Sequence, residues 1–375
     1  MTVDLFADSV YHLVRNKYSQ LTESSSHAQP KVLAGVVMSR GFDFSSAQVV
    51  SLATGTKCLD LEDVSDTGCI LRDCHAEVIS RRALVRFLYA QLELLLCTPD
   101  DSKEQSIFVR NKDNSFRLRE GILFHMYVSS SPCGDARLNC PYETTAAYPS
   151  RRFRFHLRVK VNGGEGTLPV AAQRSRDFVL PSKPLLTMSC TDKLAKWCVV
   201  GVQGALLSHL VEPVYLHSLT VGTLCHTGHL ARGMARRLAP VKHLPLPYRR
   251  QQLLLACLSS RDVRPSGKAS SISLNWSSGD GCLEEVSTSS GRRKDSGTPS
   301  RLCRHSLFTR WLQLQRQLNG PASGSQASTE SFSACKMSAG RYQRALQRFG
   351  SALKAEGLGA WFRKPLKLGH FSVTV

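Results

Sequence analysis

Apolar residues recur along the chain with two different periods, and the alternation between them predicts strands and helices in turn. The predicted strands are compact apolar runs at residues 31–37, 47–53, 107–109, 123–129 and 214–221. The predicted helices repeat their apolar residues along one side and cover residues 5–20, 75–96, 190–211 and 339–361. Alternating strands and helices of these lengths favour an α/β layered domain.

Two stretches show neither period. Residues 287–300 and 319–331 are rich in Ser, Gly, Thr and Pro, a composition typical of mobile insertions. The chain contains no internal repeat and no change of composition that separates two folding units. The sequence therefore predicts one domain that spans residues 1–375.

The composition indicates a globular protein with an anionic partner. Hydrophobic residues make up 42% and charged residues 21% of the chain, which argues against intrinsic disorder. The 49 Lys and Arg residues exceed the 29 Asp and Glu residues, so the formal net charge is +20. A surplus of this size favours a nucleic acid as partner, with an acidic membrane surface second. A basic protein that is merely soluble is the remaining alternative.

The cysteines indicate a reducing compartment. There are 13, an odd and scattered set, and Cys97, Cys198 and Cys257 lie within apolar runs. The first residues, 1–4, do not begin a signal peptide, and no apolar run reaches the length of a membrane span. We therefore expect mostly reduced core thiols in a cytosolic or nuclear protein without a membrane partner.

Three motifs together predict a catalytic zinc site: His75-Ala76-Glu77, Pro132-Cys133-Gly134 and Ser189-Cys190-Thr191-Asp192. A hydrolytic zinc centre needs ligands that leave one coordination position open, and a carboxylate that moves protons without binding the metal. His75, Cys133 and Cys190 suit the first task, and Glu77 suits the second. The pattern H-x-E with P-C is typical of zinc deaminases that act on nucleobases. Ala136 replaces the second cysteine of their P-C-x-x-C motif, so the distant Cys190 is the predicted third ligand.

The local context of these residues supports the same prediction. His75 and Cys190 lie at predicted helix starts, where the positive helix end favours a thiolate, and Cys133 follows a predicted strand. Two alternatives remain open. The three residues are satisfied core groups, or they belong to a closed structural zinc site with Cys74 or Cys140 as a fourth ligand.

The sequence resembles the deaminase domain of the adenosine deaminases acting on RNA over about residues 8–371. The resemblance is carried by the motifs at residues 73–77, 131–137, 164–167 and 188–193. Residues 203–209 and 226–232 are most similar to the vertebrate third paralogue of that family. The resemblance implies a cytidine-deaminase-like layered domain, with a central mixed sheet flanked by helices and enlarged by a C-terminal helical part.

The same resemblance implies a zinc-dependent enzyme of the nucleus, and also of the cytoplasm, that converts adenosine to inosine in double-stranded RNA. A base inside a duplex must be extruded into the pocket before it reacts. Family members carry double-stranded RNA-binding domains ahead of the deaminase, and residues 1–375 contain none. We therefore expect a catalytic domain alone or a truncated gene product. Oligomeric state stays open, with a homodimer or a heterodimer with a related editor as the candidates.

The resemblance also assigns RNA contacts. Glu165, between two glycines, matches the residue that fills the space vacated by the flipped base, although the residues alone favour an ordinary turn. Cations interleaved with aromatic residues at 151–158 suit phosphates and exposed bases. The positions that match RNA-binding or pocket-lining residues, each also explicable as ordinary surface or core, are Val32, Thr56, Lys57, Arg137, Arg151, Arg152, Arg264 and Lys268.

Members of the family enclose inositol hexakisphosphate, and the resemblance implies the same ligand here. Buried cations need a counter-charge, because otherwise burial would remove their charge. The matching positions are Arg81, Arg82, Lys193, Lys196, Trp197, Gln203, Arg304, Lys336, Tyr342, Trp361 and Lys364. Asp73, Lys160 and Lys193 match a polar relay that runs from this cavity to the zinc.

Several positions depart from the family pattern. Lys196 and Arg304 exchange one type of cation for the other, which is not neutral where a guanidinium binds an anion through two hydrogen bonds. The other departures are Arg72 for Asn, Ala205 for Ser, Phe332 for Tyr, Leu346 for Lys, Arg363 for Glu and Gly369 for Asp. Most cations are kept, so we expect the ligand to bind, with its affinity and pose left open.

Two functions follow from these observations. The first is an RNA adenosine deaminase, supported by the complete set of His75, Glu77, Cys133 and Cys190. The second is an editing-deficient RNA-binding paralogue that competes with active editors, favoured by Arg72 and Ala205, since changes around a metal site can lower activity by roughly 10–100-fold. A free-nucleoside or cytidine deaminase is disfavoured by the basic charge and the missing P-C-x-x-C.

Overall fold

The computed structural model describes residues 3–23, 29–59, 67–97, 105–137, 155–170, 185, 187–223, 227–258, 269–319, 329–362 and 368–374. The helices are α1 Val3–Thr22, α2 Ala76–Cys97, α3 Cys190–Val200, α4 Gly204–Leu207, α5 Thr227–Leu238, α6 Arg304–Asn319, α7 Phe332–Ser338 and α8 Gly340–Ala355. The strands are β1 Leu33–Arg40, β2 Asp43–Thr54, β3 Phe108–Arg110, β4 Phe116–Leu118, β5 Ile122–Ser130, β6 Arg158–Val161, β7 Gly166–Pro169, β8 Ser218–Thr223, β9 Leu254–Cys257, β10 Ile272–Ser277, β11 Leu283–Ser287, β12 Thr329–Ser331 and β13 Ser372–Thr374.

A mixed sheet of 7 strands forms the centre of the fold, in the order β11-β10-β2-β1-β5-β8-β9. The neighbouring strands from β11 to β5 are antiparallel. The pairs β5–β8 and β8–β9 are parallel. The predicted α/β class with a central mixed sheet is therefore confirmed.

Helices cover both faces of this sheet. Along β1, Ala34 and Val36 face the core beneath α2, whereas Leu33 and Val37 face the core beneath α1. Because both faces are covered, seven of the eight residues of β1 are buried and its sequence is almost continuously apolar. Gly35 lies directly beneath α1, where a Cβ atom would lie 2.7 Å from a methyl carbon of Val14.

The C-terminal helices enlarge this layered domain, as predicted. Helix α6 packs on α2, α7 packs on α4, and α8 packs on α3. Phe308 of α6 and Phe349 of α8 are fully buried in the same core as the sheet. These helices therefore share the core of the sheet.

Several predicted boundaries differ from the structure. The predicted helix over 190–211 is interrupted, because Gly201 adopts a φ of 74° and ends α3. The predicted strand over 214–221 begins only at Ser218. The last predicted helix ends at Ala355, before residue 361, and Gly357 follows it with a φ of 70°.

The prediction of a mobile insertion at residues 287–300 is wrong. This segment forms hydrogen-bonded turns in which Gly291 N donates to Ser287 O at 2.8 Å and Arg293 N donates to Thr298 O at 3.0 Å. The Ser300 hydroxyl is buried and donates to Glu284 at 2.5 Å. Most of the second predicted insertion, residues 320–328, lies outside the described residues.

Two further observations concern the membrane and the cysteines. Within the described part of the chain, no helix combines the length and the apolar character that a membrane span requires. Cys198 is a free buried thiol, as predicted, whereas Cys257 is disulfide-bonded, contrary to the expectation for thiols in apolar runs.

The packing between α1 and the sheet predicts the effect of shortening a core side chain. Leu52 of β2 is fully buried in this layer. Leu52→Ala should therefore lower the free energy of unfolding by about 2–5 kcal/mol in urea denaturation. Met337→Ala is the control, because 61% of Met337 is exposed. Equal losses in the two variants would contradict this description of the core.

Candidate metal centre and active site

Three separate segments bring His75, Cys133 and Cys190 together. His75 immediately precedes α2 and its carbonyl accepts the hydrogen bond of Val78 N at 2.9 Å. Cys133 follows the end of β5, and Cys190 is the first residue of α3. The Ser189 hydroxyl caps α3 by accepting a hydrogen bond from Asp192 N. The predicted placement of the histidine and Cys190 at helix starts and of Cys133 after a strand is therefore confirmed.

The three side chains are buried and close enough to share a metal ion. The His75 Nδ1 atom lies 3.5 Å from Cys190 Sγ and 3.8 Å from Cys133 Sγ. Tetrahedral zinc with ordinary Zn–N and Zn–S bond lengths would hold nitrogen and sulfur ligands about 3.5 Å apart. One imidazole and two thiolates leave a fourth position open, so the donor set fits catalytic zinc.

A closed structural site is not formed by the described residues. Cys74, one of the two candidate fourth ligands, directs its Sγ atom toward the Leu71 carbonyl at 3.7 Å. Among the described residues, the group of potential ligands that includes both Cys133 and Cys190 has His75 as its third member and no fourth. Cys140, the other candidate, lies outside the described residues.

The environment of the two thiols makes them unequal. Burial raises the pKa of Cys190, and the adjacent Cys133 sulfur raises it further. Burial acts in the same direction on Cys133, but the hydrogen bond from Cys190 and the charge of Lys160 bring the Cys133 pKa well below its ordinary value. The contact between the two thiols links their protonation, and a bound cation would favour the thiolate form of both.

Glu77 lies in the first turn of α2, two residues beyond His75, and is 2% exposed. Its charge contributes to the raised pKa of Cys190, which places the carboxylate beside the thiol cluster. No carboxylate oxygen belongs to the group of potential ligands around the two thiols. Glu77 therefore has the position expected of a carboxylate that handles protons near the metal without binding it.

Asp73 connects this centre to two lysines, as the predicted relay requires. Lys160 Nζ donates to Asp73 Oδ1 at 2.9 Å, and Lys193 Nζ bonds the other carboxylate oxygen. Burial alone would raise the pKa of Asp73, but the two lysines hold it well below the ordinary range. Lys160 is completely buried, and Asp73 keeps its pKa well above the usual value despite burial. His75 N also donates to Asp73 at 3.2 Å, so the relay contacts the backbone of the first metal-ligand candidate.

Sequence reasoning missed a second buried ionic group, centred on Arg237. The guanidinium of this α5 residue donates to Asp192 at 2.8 Å and to Asp135 at 3.2 Å. Arg237 and Asp192 are fully buried, and Asp135 is 2% exposed. Each aspartate follows one of the two cysteines by two residues, so a single arginine connects the two thiol segments. The repeated spacing Cys-x-Asp was the only signal of this role in the sequence.

Comparison with known proteins agrees with this geometry. The sequence matches the adenosine-deaminase (editase) domain family over residues 51–365. The chain belongs to the adenosine-deaminase (editase) family.

Three curated relatives support this assignment. The chain is 46% identical to the double-stranded RNA-specific editase B2 of Rattus norvegicus over 99% of its own length and 51% of that protein. It is 39% identical to the double-stranded RNA-specific editase Adar of Drosophila melanogaster, covering 98% of this chain and 55% of the relative. It is 32% identical to the double-stranded RNA-specific adenosine deaminase of Mus musculus, covering 98% of this chain and 32% of that relative. The editase chain thus spans about half of the first two relatives and about a third of the last.

Some predicted RNA contacts of this editase domain lie beside the thiol cluster. Thr56 and Lys57 follow β2, and Lys57 pairs with the backbone next to His75, where Cys74 N donates to Lys57 O at 2.9 Å. Glu165 is exposed at the turn between β6 and β7, only one residue from a carbonyl that contacts His75. Thr56, Lys57 and Glu165 are therefore close to the thiol cluster, and their contact with RNA stays a prediction.

Two other predicted RNA contacts, Val32 and Arg137, have structural roles in the fold. Val32 is a core residue that is 2% exposed, and Arg137 donates from Nε to the Ser131 carbonyl at 2.8 Å, which holds the segment around Cys133. Predicted residues outside the described part of the chain are Arg151, Arg152, Arg264, Lys268 and Lys364.

Six of the predicted polyanion residues are cations whose charges act on one another in the editase fold: Arg81, Arg82, Lys193, Lys196, Arg304 and the exposed Lys336. Burial and the neighbouring Arg81, Lys193 and Lys336 lower the pKa of Lys196 to about 7. Burial, then Arg304 and Arg81, lower the pKa of Arg82 to about 10. Among the described residues, no carboxylate forms an ion pair with Arg81, Arg82 or Lys196. The cluster therefore fits an anionic ligand of high charge.

Aromatic residues from the predicted set lie beside two of these cations. Lys196 Nζ lies 4.8 Å from the ring centroid of Trp361, and Arg81 Cζ lies 6.0 Å from that of Trp197. Burial raises the pKa of Tyr342, and the charge of the neighbouring Arg81 partly opposes this rise.

Gln203 has a backbone role. Its amide nitrogen donates to Val200 O at 2.9 Å, and its oxygen accepts from Val214 N at 3.0 Å, so it holds the turn after α3.

The Arg237 group predicts a large loss of stability in one variant. Arg237→Met would leave Asp135 and Asp192 buried without a counter-charge, which should cost on the order of 3–5 kcal/mol. Urea or thermal denaturation measures this loss. Arg293→Met is the control, because the Arg293–Asp295 pair is exposed and should leave stability within error of the wild type. A small effect of Arg237→Met would mean that the two carboxylates do not depend on this arginine.

Proposed function

We propose that this chain is a zinc-dependent deaminase that hydrolyses adenosine to inosine in double-stranded RNA. The observation that carries the proposal is the buried group of one imidazole and two thiols beside Glu77. Names of the relatives support the substrate class, since all three are described as double-stranded RNA-specific. A bound zinc ion would be held by His75, Cys133 and Cys190 and would supply Lewis acidity at its open position.

Glu77 is proposed to carry the protons of the reaction. Deamination replaces the 6-amino group of adenosine by oxygen, consumes one water and releases one ammonia. The Glu77 carboxylate accepts a proton as water attacks C6, and returns it to the departing nitrogen. Burial of Glu77 beside the centre supports this role, because it keeps the carboxylate near the reacting atoms and away from bulk water.

Glu165 is proposed to occupy the duplex where the flipped adenosine was stacked. Three features support this role: Glu165 is exposed, it lies in the turn that joins β6 and β7, and this turn contacts His75 through Gly164. Extrusion of the base places its reactive carbon in the pocket and costs a few kcal/mol of unstacking. A side chain that takes the vacated position lowers that cost.

The cation cluster is proposed to bind inositol hexakisphosphate. The cluster has several cations without carboxylate partners and aromatic side chains beside them, so a polyphosphate matches it in charge. Lys193 is next to the cluster and also bonds Asp73, so the same lysine contacts the relay to the metal-ligand candidates. Phosphate binding and the metal centre are thereby connected through one residue.

Activity on a defined duplex tests the enzyme proposal. The purified protein should convert adenosine opposite cytidine to inosine, measured by sequencing or by nuclease digestion and chromatography. Glu77→Gln removes the proton carrier and should lower the rate by about 10²–10⁴-fold while zinc content is kept. Glu356→Gln, at an exposed position, is the control. Wild-type protein with full zinc but no inosine, beside an active relative, would instead favour an RNA-binding paralogue that does not edit.

Substitution of Lys196 tests the polyanion site. The Lys196 pKa of about 7 lies below its ordinary value of 10.5. Between these two values the unfolded chain binds the proton more readily than the folded protein. Without an anion, the free energy of unfolding should therefore decrease as pH falls from 10.5 to 7. At pH 6, Lys196→Met should therefore raise the melting temperature of an anion-free protein but lower that of the polyphosphate complex. We expect Lys196→Met to have a lower melting temperature than wild type. We also expect inositol hexakisphosphate in the mass spectrum of the ligand released from wild type.

An exposed lysine provides the control for this test. Lys354→Met, at the solvent-facing end of α8, should change neither the melting temperature nor the bound phosphate. A higher melting temperature for Lys196→Met, or stable wild-type protein free of phosphate, would contradict the proposed ligand.

A further inference from the structure

The turn between β6 and β7 is fastened to the segment that carries His75. The Gly164 carbonyl oxygen lies 3.1 Å from His75 Nε2. One residue earlier, the Gly163 carbonyl accepts a hydrogen bond from Cys58 N at 2.6 Å. Cys58 in turn forms an antiparallel bridge with Asp73, two residues before His75. The turn, the strand extension and the histidine segment thus form one hydrogen-bonded unit.

The contact at Gly164 determines which ring nitrogen carries the proton. A carbonyl oxygen only accepts hydrogen bonds, so Nε2 must be the protonated nitrogen of a neutral imidazole in this contact. The other nitrogen, Nδ1, is then unprotonated and faces the sulfur atoms of Cys190 and Cys133. Carbonyl partners of this kind commonly fix the orientation and tautomer of metal-binding histidines.

Local space explains why glycine occupies position 164. A Cβ atom there would lie 2.9 Å from His75 Nε2 and 2.9 Å from the backbone nitrogen of Cys58. The φ of Gly164 is +99°, a conformation that other residues adopt only with strain. Gly163 also has a positive φ, +61°, so a side chain there is strained too, but a Cβ atom at this position would meet nothing within 4 Å. Position 163 therefore accepts a side chain more readily than position 164.

We propose that Gly164 is a positioning residue of the metal centre: its carbonyl holds the His75 imidazole in the tautomer and orientation that direct Nδ1 to the metal. The inference rests on the proposed zinc centre but not on the proposed RNA reaction. The next residue, Glu165, is exposed, so the base of this turn is anchored on the metal-ligand candidate while the following side chain faces solvent. The close packing around Gly164 thereby serves the metal centre as well as the turn.

Two alanine variants test the proposal in the full chain. In Gly164→Ala the new methyl group displaces the carbonyl or the ring, and in Gly163→Ala the ring contact is kept. Each variant is loaded with Zn²⁺, its stoichiometry is measured, and transfer of the ion to a chromophoric chelator is followed. Gly164→Ala should release zinc on the order of 10–100-fold faster than wild type, since loss of an outer partner weakens metal sites by such factors. Gly163→Ala should stay within about twofold of wild type, because its methyl group points into open space.

The Co²⁺ forms separate a metal-site effect from a general loss of stability. Visible absorption from cobalt–thiolate coordination should be altered in Gly164→Ala and unchanged in Gly163→Ala, in samples whose circular dichroism shows folded protein. Equal zinc release and equal spectra in the two variants would overturn the positioning role. Wild-type protein that takes up neither metal would overturn this inference together with the proposed centre.

A measurement on wild type covers the outcome in which Gly164→Ala does not fold. In zinc-loaded protein with ¹⁵N-labelled histidine, the ring that responds to replacement of zinc by cobalt identifies the ligand. That ring should carry a slowly exchanging proton on Nε2 and none on Nδ1. A proton on Nδ1, or zinc bound through Nε2, would overturn the proposal. Neither readout involves RNA, so a protein that binds zinc but makes no inosine fails the proposed reaction alone.

Discussion

The structure depends on the pairing of charges that have been withdrawn from water. An isolated buried ion is costly, and its partner must lie within hydrogen-bond distance for the fold to tolerate it. Arg237 meets this condition with Asp135 and Asp192. Lys160 and Lys193 meet it with Asp73, and Lys193 lies three residues beyond Cys190. Each pair joins segments that are distant in sequence, so satisfying the charges also assembles the three segments that carry His75, Cys133 and Cys190. The chemistry of the site is thus a consequence of how the interior is neutralised.

Local motifs made much of the site predictable from sequence. The ligand candidates and Glu77 are specified within short segments at helix starts and after a strand, where the spacing of residue types is visible directly. Distant contacts were not predictable in this way. Arg237 lies 45 residues from Asp192 and 102 from Asp135, and Gly164 lies 89 residues from His75. Only the fold shows that these residues meet.

The errors in element prediction have equally physical causes. The apolar residues Leu206 and Leu207 continue the helical pattern beyond Val200, but the backbone of Gly201 has already left the helix. In residues 287–300, a composition rich in Ser and Gly suggested mobility, whereas the hydroxyl of Ser300 and the backbone of Gly291 form ordered turns. Composition identifies a segment that makes turns, but the hydrogen-bond partners decide whether those turns are fixed.

The two charged regions of the interior, around Asp73 and around Lys196, differ in whether positive charges are paired with negative ones. This difference relates to their proposed roles. Around Asp73, the ammonium groups of Lys160 and Lys193 are both paired with its carboxylate. Around Lys196 the neighbouring charges are all cations, and burial, followed by these cations, lowers the pKa of Lys196. A region that is complete suits a metal site that must be rigid. A region that lacks counter-charge suits an anionic ligand, and Lys193 belongs to both regions, because it bonds Asp73 and its charge acts on Lys196.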